Sequence, residues 1–197
     1  DGTVWLLTEN DGAIRVVTLP EKNYTTKPEI YSTKSGLFPA DHFYQVYQDR
    51  AGNNWLLTDN GLGMIRPGER QPVNYFVETQ GKQDGMNQAF YAVRECEDDI
   101  CFTSDRGRIW CYQKKSGEFR LHELPTKARI TSIHAVGNDN TVVTTDSDGF
   151  FLSNLKTNKH IHYSPVTCKE LSDQPILSAY VDRTSEVWFE QEEPGVV

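Results

Sequence analysis

The chain has 197 residues, with 20 Lys and Arg against 28 Asp and Glu, and a formal net charge of -8. That balance excludes the basic footprint needed for sequence-independent nucleic-acid binding and disfavours docking on an anionic leaflet. No apolar run approaches the roughly 20 residues that cross a bilayer, and four cysteines are too few for a disulfide scaffold at this length.

The sequence opens on Asp1-Gly2-Thr3-Val4-Trp5, already inside a strand motif, and stops as abruptly on Pro194-Gly195-Val196-Val197. It therefore reads as a piece cut from a longer protein, so missing targeting or membrane segments say nothing about the parent.

A strand-like segment Trp5-Leu6-Leu7-Thr8 leads into the turn Glu9-Asn10-Asp11-Gly12. Leu19 to Ala40 holds Pro20, Pro28 and Pro39 and reads as a loop. The stretch Gln45 to Leu62 then spells a strand, a polar turn, the strand Trp55-Leu56-Leu57-Thr58 and the turn Asp59-Asn60-Gly61. Similar anchors follow at Ile100-Cys101-Phe102-Thr103, Val142-Val143-Thr144-Thr145 and Val187-Trp188-Phe189-Glu190. Steps of 50, 45, 42 and 45 residues separate the anchors.

Each anchor has an upstream strand: Phe43 to Gln48, Phe90 to Cys96, Ile130 to Val136 and Ile176 to Asp182. Downstream pairs follow, such as Leu62 to Arg66 with Val73 to Val77. These segments are short, rich in β-branched and aromatic residues, and bounded by Gly, Asp, Asn or Pro. No sustained helical period appears. Four strands every ~45 residues is the period of a propeller blade. The prediction is an all-β chain: a β-propeller segment of about four to five four-stranded blades, cut from a longer propeller. Its units are 1-24 (partial), 41-78, 87-123, 129-163 and 176-197 (partial). The two partial units would complete each other or pair across a dimer.

The core of Tyr44 to Leu62, Asp-x-x-Gly-Asn-x-Trp-Leu-Leu-Thr-x-x-Gly-Leu, resembles the two-component regulator propeller repeat. Gly36-Leu37 fits the Gly-Leu that tends to precede the repeat's first strand, and Asp84-Gly85-Met86-Asn87 takes that place in the next unit. The resemblance covers most of the chain and is fullest at Asp49 to Leu62. In two units the Trp gives way to Ile100-Cys101 and Val142-Val143, aliphatic fillers of the same slot. The resemblance implies the periplasmic sensor region of a hybrid two-component system, anchored in the inner membrane through its parent chain. It further implies an oligosaccharide signal, homodimerisation through the parent ectodomain, and a histidine kinase elsewhere in that parent. It implies no enzyme activity, cofactor or nucleic-acid contact for this segment.

Trp5, Trp55 and Trp188 suggest sugar stacking, but their shared repeat position reads first as packing. Trp110 lies outside that position and is the better ligand candidate, with core as its first reading. The turns after each second strand share the propeller face that carries the blade-to-blade connections. Candidate ligand-binding residues there are Asn10, Asp59, Asn60, Asp105, Arg106 and Asp146, with Trp110 beside them. Such side chains suit sugar hydroxyls, yet Asp and Asn are also ordinary turn formers.

Thr103-Ser104-Asp105-Arg106-Gly107-Arg108-Ile109-Trp110 is similar to the Asp box of sialidase-type propellers, itself a structural turn. The rest of a sialidase site finds no counterpart, and the adjacent carboxylates Asp98-Asp99 and Glu192-Glu193 read as solvated turns. His160 and His162 alternate on one strand but lack a third ligand, so no metal site is expected. No nucleotide-binding or hydrolase motif occurs. Cys96 and Cys101 flank a hairpin turn and are either a disulfide or two separate thiols. Cys111 and Cys168 read as small apolar residues.

Overall fold

The computed structural model describes residues 3–19, 24–25, 27–76, 88–96, 98–137 and 140–192, with the backbone alone at 18, 19, 24 and 25. The segment Asp84-Gly85-Met86-Asn87, the chain ends Asp1-Gly2 and Pro194 to Val197, and Pro20 and Glu193 lie outside the described residues. The chain divides into two compact units, Asp1–Phe90 and Tyr91–Val197.

The first unit holds two four-stranded sheets. In one, β2 (Ala13–Leu19) pairs with β1 (Thr3–Leu7) on one edge and with β3 (Tyr24–Thr25) and β4 (Glu29–Tyr31) on the other. The stretch expected as a loop after Leu19 thus carries two strands. Arg15 ties β4 in place through an ion pair with Glu29 at 3.4 Å. The other sheet is an antiparallel meander of β5 (Phe43–Gln48), β6 (Asn54–Thr58), β7 (Gly61–Ile65) and β8 (Val73–Tyr75). Ala13, Tyr31, Phe38, Phe43, Leu56 and Ile65 form one buried cluster between these sheets. Burying a side chain of this size contributes about 1.5–3 kcal/mol.

The second unit carries the order β12-β11-β10-β9: β9 (Phe90–Glu95), β10 (Asp99–Ser104), β11 (Arg108–Gln113) and β12 (Phe119–Glu123). A second meander follows: β13 (Ile130–Val136), β14 (Asn140–Thr145), β15 (Phe150–Asn154) and β16 (Lys159–Tyr163). A hairpin of β17 (Ile176–Val181) and β18 (Val187–Gln191) completes it. Cys101, Ile109, Ile130, Ile133, Val143 and Phe151 pack the first two sheets together. Val142, Leu171, Ile176, Ala179 and Phe189 pack the hairpin on the second meander. The described residues contain no helix.

Strand alternation explains why the Trp-Leu pair recurs. Leu56, Val143 and Phe189 face the preceding sheet within their units, whereas Trp5 and Val142 face the following one. Cys101 also faces the following sheet. Two anchors therefore lie one residue later than the sequence alignment put them, at Ser104 and Gln191, which end β10 and β18. Packing at the Trp position is complete at Trp55, which is fully buried, and partial at Trp5. Trp188 is 46% exposed, and no described sheet covers it.

The signature turn has a physical cause. One oxygen of Asp49 accepts from the Ala51 and Asn53 N–H groups at 2.9 and 2.8 Å. The other accepts from Asn53 Nδ2 and from Trp55 Nε1, both at 2.9 Å. Gly52 supplies the left-handed φ of 84° that the turn needs. Asp182 repeats the device on Thr184, Glu186 and Trp188, with Ser185 at φ 68° in place of the glycine.

The cysteines correct an expectation. Cys101 is bonded to Cys111, while Cys96 and Cys168 are free. The Cys96 N–H donates to the Asp99 carbonyl at 2.8 Å, so the β9–β10 hairpin closes too tightly for Cys96 to oppose Cys101. Cys101 instead faces Cys111 as its register partner on β11.

Candidate functional site: the second-strand turns

In each unit two successive second-strand turns are brought to one end by the same backbone bonds. In the first unit the Gly12 N–H donates to Asp41 O at 2.9 Å and the Asp59 N–H to His42 O at 3.3 Å. In the second, Gly107 donates to Ala128 O at 2.9 Å and Asp146 to Arg129 O at 3.1 Å. Each pair of turns is thus hung on two consecutive residues ahead of a first strand.

The turns are self-satisfied. The Thr8 hydroxyl donates to Gly12 O at 2.7 Å and accepts the Asp11 N–H. Thr145 repeats this on Gly149 and Asp148, and Thr58 does so on Gly61 and Asn60. A Cβ on Gly149 would sit 2.1 Å from Tyr163 O, which explains a glycine there.

In the first unit, Asn10 and Asp59 are exposed on their turns. Asn60 is committed at one end: its Nδ2 donates to Pro39 O at 2.8 Å, while its Oδ1 is buried with no hydrogen-bond partner among the described residues.

The second unit joins Asp105 to Asp146. The Tyr91 hydroxyl donates to both oxygens of Asp105 at 3.0 and 3.1 Å. The Arg129 guanidinium lies over the Tyr91 ring at 5.1 Å and reaches Asp146 at 3.4 Å. Asp146 also accepts from the Arg129 N–H and the Ser147 hydroxyl. A carboxylate, a phenol, a guanidinium and a second carboxylate thus run in series across two neighbouring turns.

Arg106 stands exposed beside this series with φ 58°, a conformation uncommon outside glycine. It borders a shallow depression with Arg108, Thr126, Lys127 and Asp148. Arg108 is paired with Glu123 at 3.2 Å and Asp148 with His162 at 3.1 Å. Arg106 and Lys127 have no ion pair or hydrogen bond among the described residues. Trp110 does not join the series: it is half-buried in β11, opposite Phe102 and Leu121.

Sequence reasoning missed Tyr91 and Arg129. Arg129 immediately precedes a first strand, on the connections expected at the turn face, and that position is the signal that would have found it. Chemically the series offers fixed donors and acceptors beside an aromatic face. The Asp box places Asp105 in the turn between β10 and β11, where it binds Tyr91. No group of three or more His, Cys, Asp or Glu among the described residues is arranged to hold a metal.

No family model and no curated protein matches the chain. Solved structures do. The extracellular domain of BT4673 from B. thetaiotaomicron, assigned as a hybrid two-component system, matches with a TM-score of 0.78 at 18% identity, over 99% of this chain and 25% of that one. The corresponding domain of BT3049 from the same organism matches with a TM-score of 0.69 at 14% identity, over 99% of this chain and 24% of that one. The chain spans about a quarter of the length of these two. Virginiamycin B lyase from Staphylococcus aureus matches with a TM-score of 0.66 at 16% identity, over 96% of this chain and 63% of that one. At such identities the likeness establishes the fold, which sensor ectodomains and a lyase share.

Proposed function

We propose that the chain is a β-propeller segment of about four to five blades, cut from the periplasmic sensor of a hybrid two-component system, and that its second-strand turns take part in binding an oligosaccharide. The observation that carries this reading is the series Asp105, Tyr91, Arg129 and Asp146, with Arg106 uncommitted beside it. Directional polar groups next to an aromatic face suit a sugar's alternation of hydroxyls and C–H surface. The likeness in fold to extracellular domains of hybrid two-component systems supports the sensor class. Membrane attachment and the histidine kinase belong to the parent chain, and ligand binding would act by biasing how paired ectodomains sit.

A scaffold reading is favoured by a different observation: Asp105, Asp146 and Asn60 each already have protein partners. Calorimetric titration of an oligosaccharide panel against the whole ectodomain and against this chain separates the two. Binding by both, weakened about tenfold or more by Arg106→Ala and Arg129→Ala, supports the turn site. Binding by the ectodomain alone supports the scaffold. Turnover of any glycan would replace both with an enzyme.

A further inference from the structure

The opposite end of the same strands holds a second polar site. The rows of the β9–β12 sheet show how it arises. Where β6 places Trp55 beside its register partner Met64, β10 and β11 place Cys101 beside Cys111. Trp55 and Met64 are large and buried. Two bonded cysteines fill much less volume, and a cavity of about 280 Å³ opens over them, against the β13–β16 sheet.

Its walls are cationic. Arg120 is the register partner of Cys111 on β12. The Cys96–Asp99 closure of the hairpin puts Arg94 opposite Cys101 on β9. Two guanidiniums therefore flank the disulfide along one cross-strand row. His122 and Lys156 add to the lining, and Thr141 enters it from β14, where its hydroxyl accepts from Arg94 Nη1. The acidic groups at the mouth are Asp98 and Asp99, and Asp98 is turned to Lys115 at 2.9 Å.

The facing sheet also carries unpaired polar atoms. Thr141, Ser153 and His160 form one cross-strand row and share a face. The Ser153 hydroxyl and both ring nitrogens of His160 are buried with no hydrogen-bond partner among the described residues. Buried polar atoms are nearly always satisfied by protein, water or ligand. Burial holds His160 below the ordinary imidazole value, and burial followed by the Arg120 charge does the same for His122.

We propose that this inter-sheet cleft binds a small oxyanion, a sulfate or carboxylate group, between Arg94 and Arg120 over the Cys101–Cys111 disulfide. Guanidinium forks match the planar and tetrahedral oxyanions in geometry and charge. The site lies away from the second-strand turns, so its test is independent of the turn reading.

The test is an NMR and calorimetric titration of the 197-residue chain at fixed ionic strength, using sodium sulfate, sodium phosphate, glucuronate and neutral glucose. Saturable binding of an anion is expected, with no response to glucose and with the His122 and His160 resonances titrating at higher pH in the loaded form. Tighter binding of glucuronate than of sulfate would assign the group to an acidic sugar, and the reverse would assign it to a free ion. Arg120→Gln, at an exposed position that keeps the fold, is expected to weaken binding about tenfold, and Arg94→Gln at least as much. Absence of saturation with all three anions, or anion binding indifferent to Arg120→Gln, would overturn the proposal.

Discussion

Two turns of this molecule make the same hydrogen bonds and lead to opposite fates. Asp49 caps the β5–β6 turn and receives the indole N–H of Trp55, which is fully buried. Asp182 caps the β17–β18 turn and receives the indole N–H of Trp188, which is 46% exposed. The device therefore does not depend on burial of the ring it holds. It is a local turn, fixed by one carboxylate and one left-handed residue, and the packing of the Trp is a separate layer added by a neighbouring sheet.

The sharpest way to break that separation is to truncate the two rings. Trp55→Ala removes a core side chain and should cost about 3–5 kcal/mol. Trp188→Ala removes a half-exposed one and should cost less than about 1 kcal/mol. Urea unfolding of each variant measures the difference. Equal losses would mean that the turn, rather than the core, carries the energy.

The β9–β12 sheet lacks the device and has a covalent link at the corresponding position. Reducing the Cys101–Cys111 bond, or replacing both residues with Ser, should destabilise the second unit by about 2–4 kcal/mol. Hydrogen exchange should place the loss within 91–197. A loss of protection centred on the Asp49–Trp55 turn would contradict this division of roles.

Next comes the carboxylate itself. Asp49 is nearly buried and accepts four hydrogen bonds, so Asp49→Ala strands several donors and should cost about 2–3 kcal/mol. Asp182→Ala should lower the urea midpoint by visibly less, because its donors are exposed and turn to water.

The same separation explains what the sequence reveals. Asp49, Gly52 and Trp55 are legible because the turn that joins them is closed by neighbours within six positions. Thr58 and Gly61 are legible for the same reason. The Cys101–Cys111 bond is not, because it depends on the β10–β11 register, which the turn at Asp105 to Arg108 sets. Strand β4 is hidden by the prolines around it, and its ladder to β2, where Arg15 meets Glu29, reveals it. Of the candidate site, Asp105, Arg106 and Asp146 were read from turn chemistry. Tyr91 and Arg129, which join them, come from a first strand and a connection with no turn signal. Trp110 is legible as a third-strand residue, and it lies in β11.

The smallest expected effect is the acid response, and its sign follows from which form each group favours when folded. Burial pushes the His134 pKa down, with the Arg94 charge adding to it; His122 is pushed down by burial and by Arg120. A lowered folded value means that the neutral ring suits the native state. This contribution is whole above the ordinary imidazole value of about 6.5 and is lost as pH falls through the folded value. Asp182 follows at lower pH. The Thr184 hydroxyl holds its carboxyl below the ordinary value, so its contribution is whole above about 3.9 and is lost as pH falls through the folded value. The second unit should therefore soften in two stages on acidification, the imidazoles first and the Asp182 turn second. NMR titration of His122 and His134 checks the first stage, and the Trp188 indole N–H resonance reports the second. Imidazole midpoints at or above about 6.5 would remove the burial effect, and an indole signal that moves before the imidazoles do would reverse the order and detach Trp188 from its carboxylate.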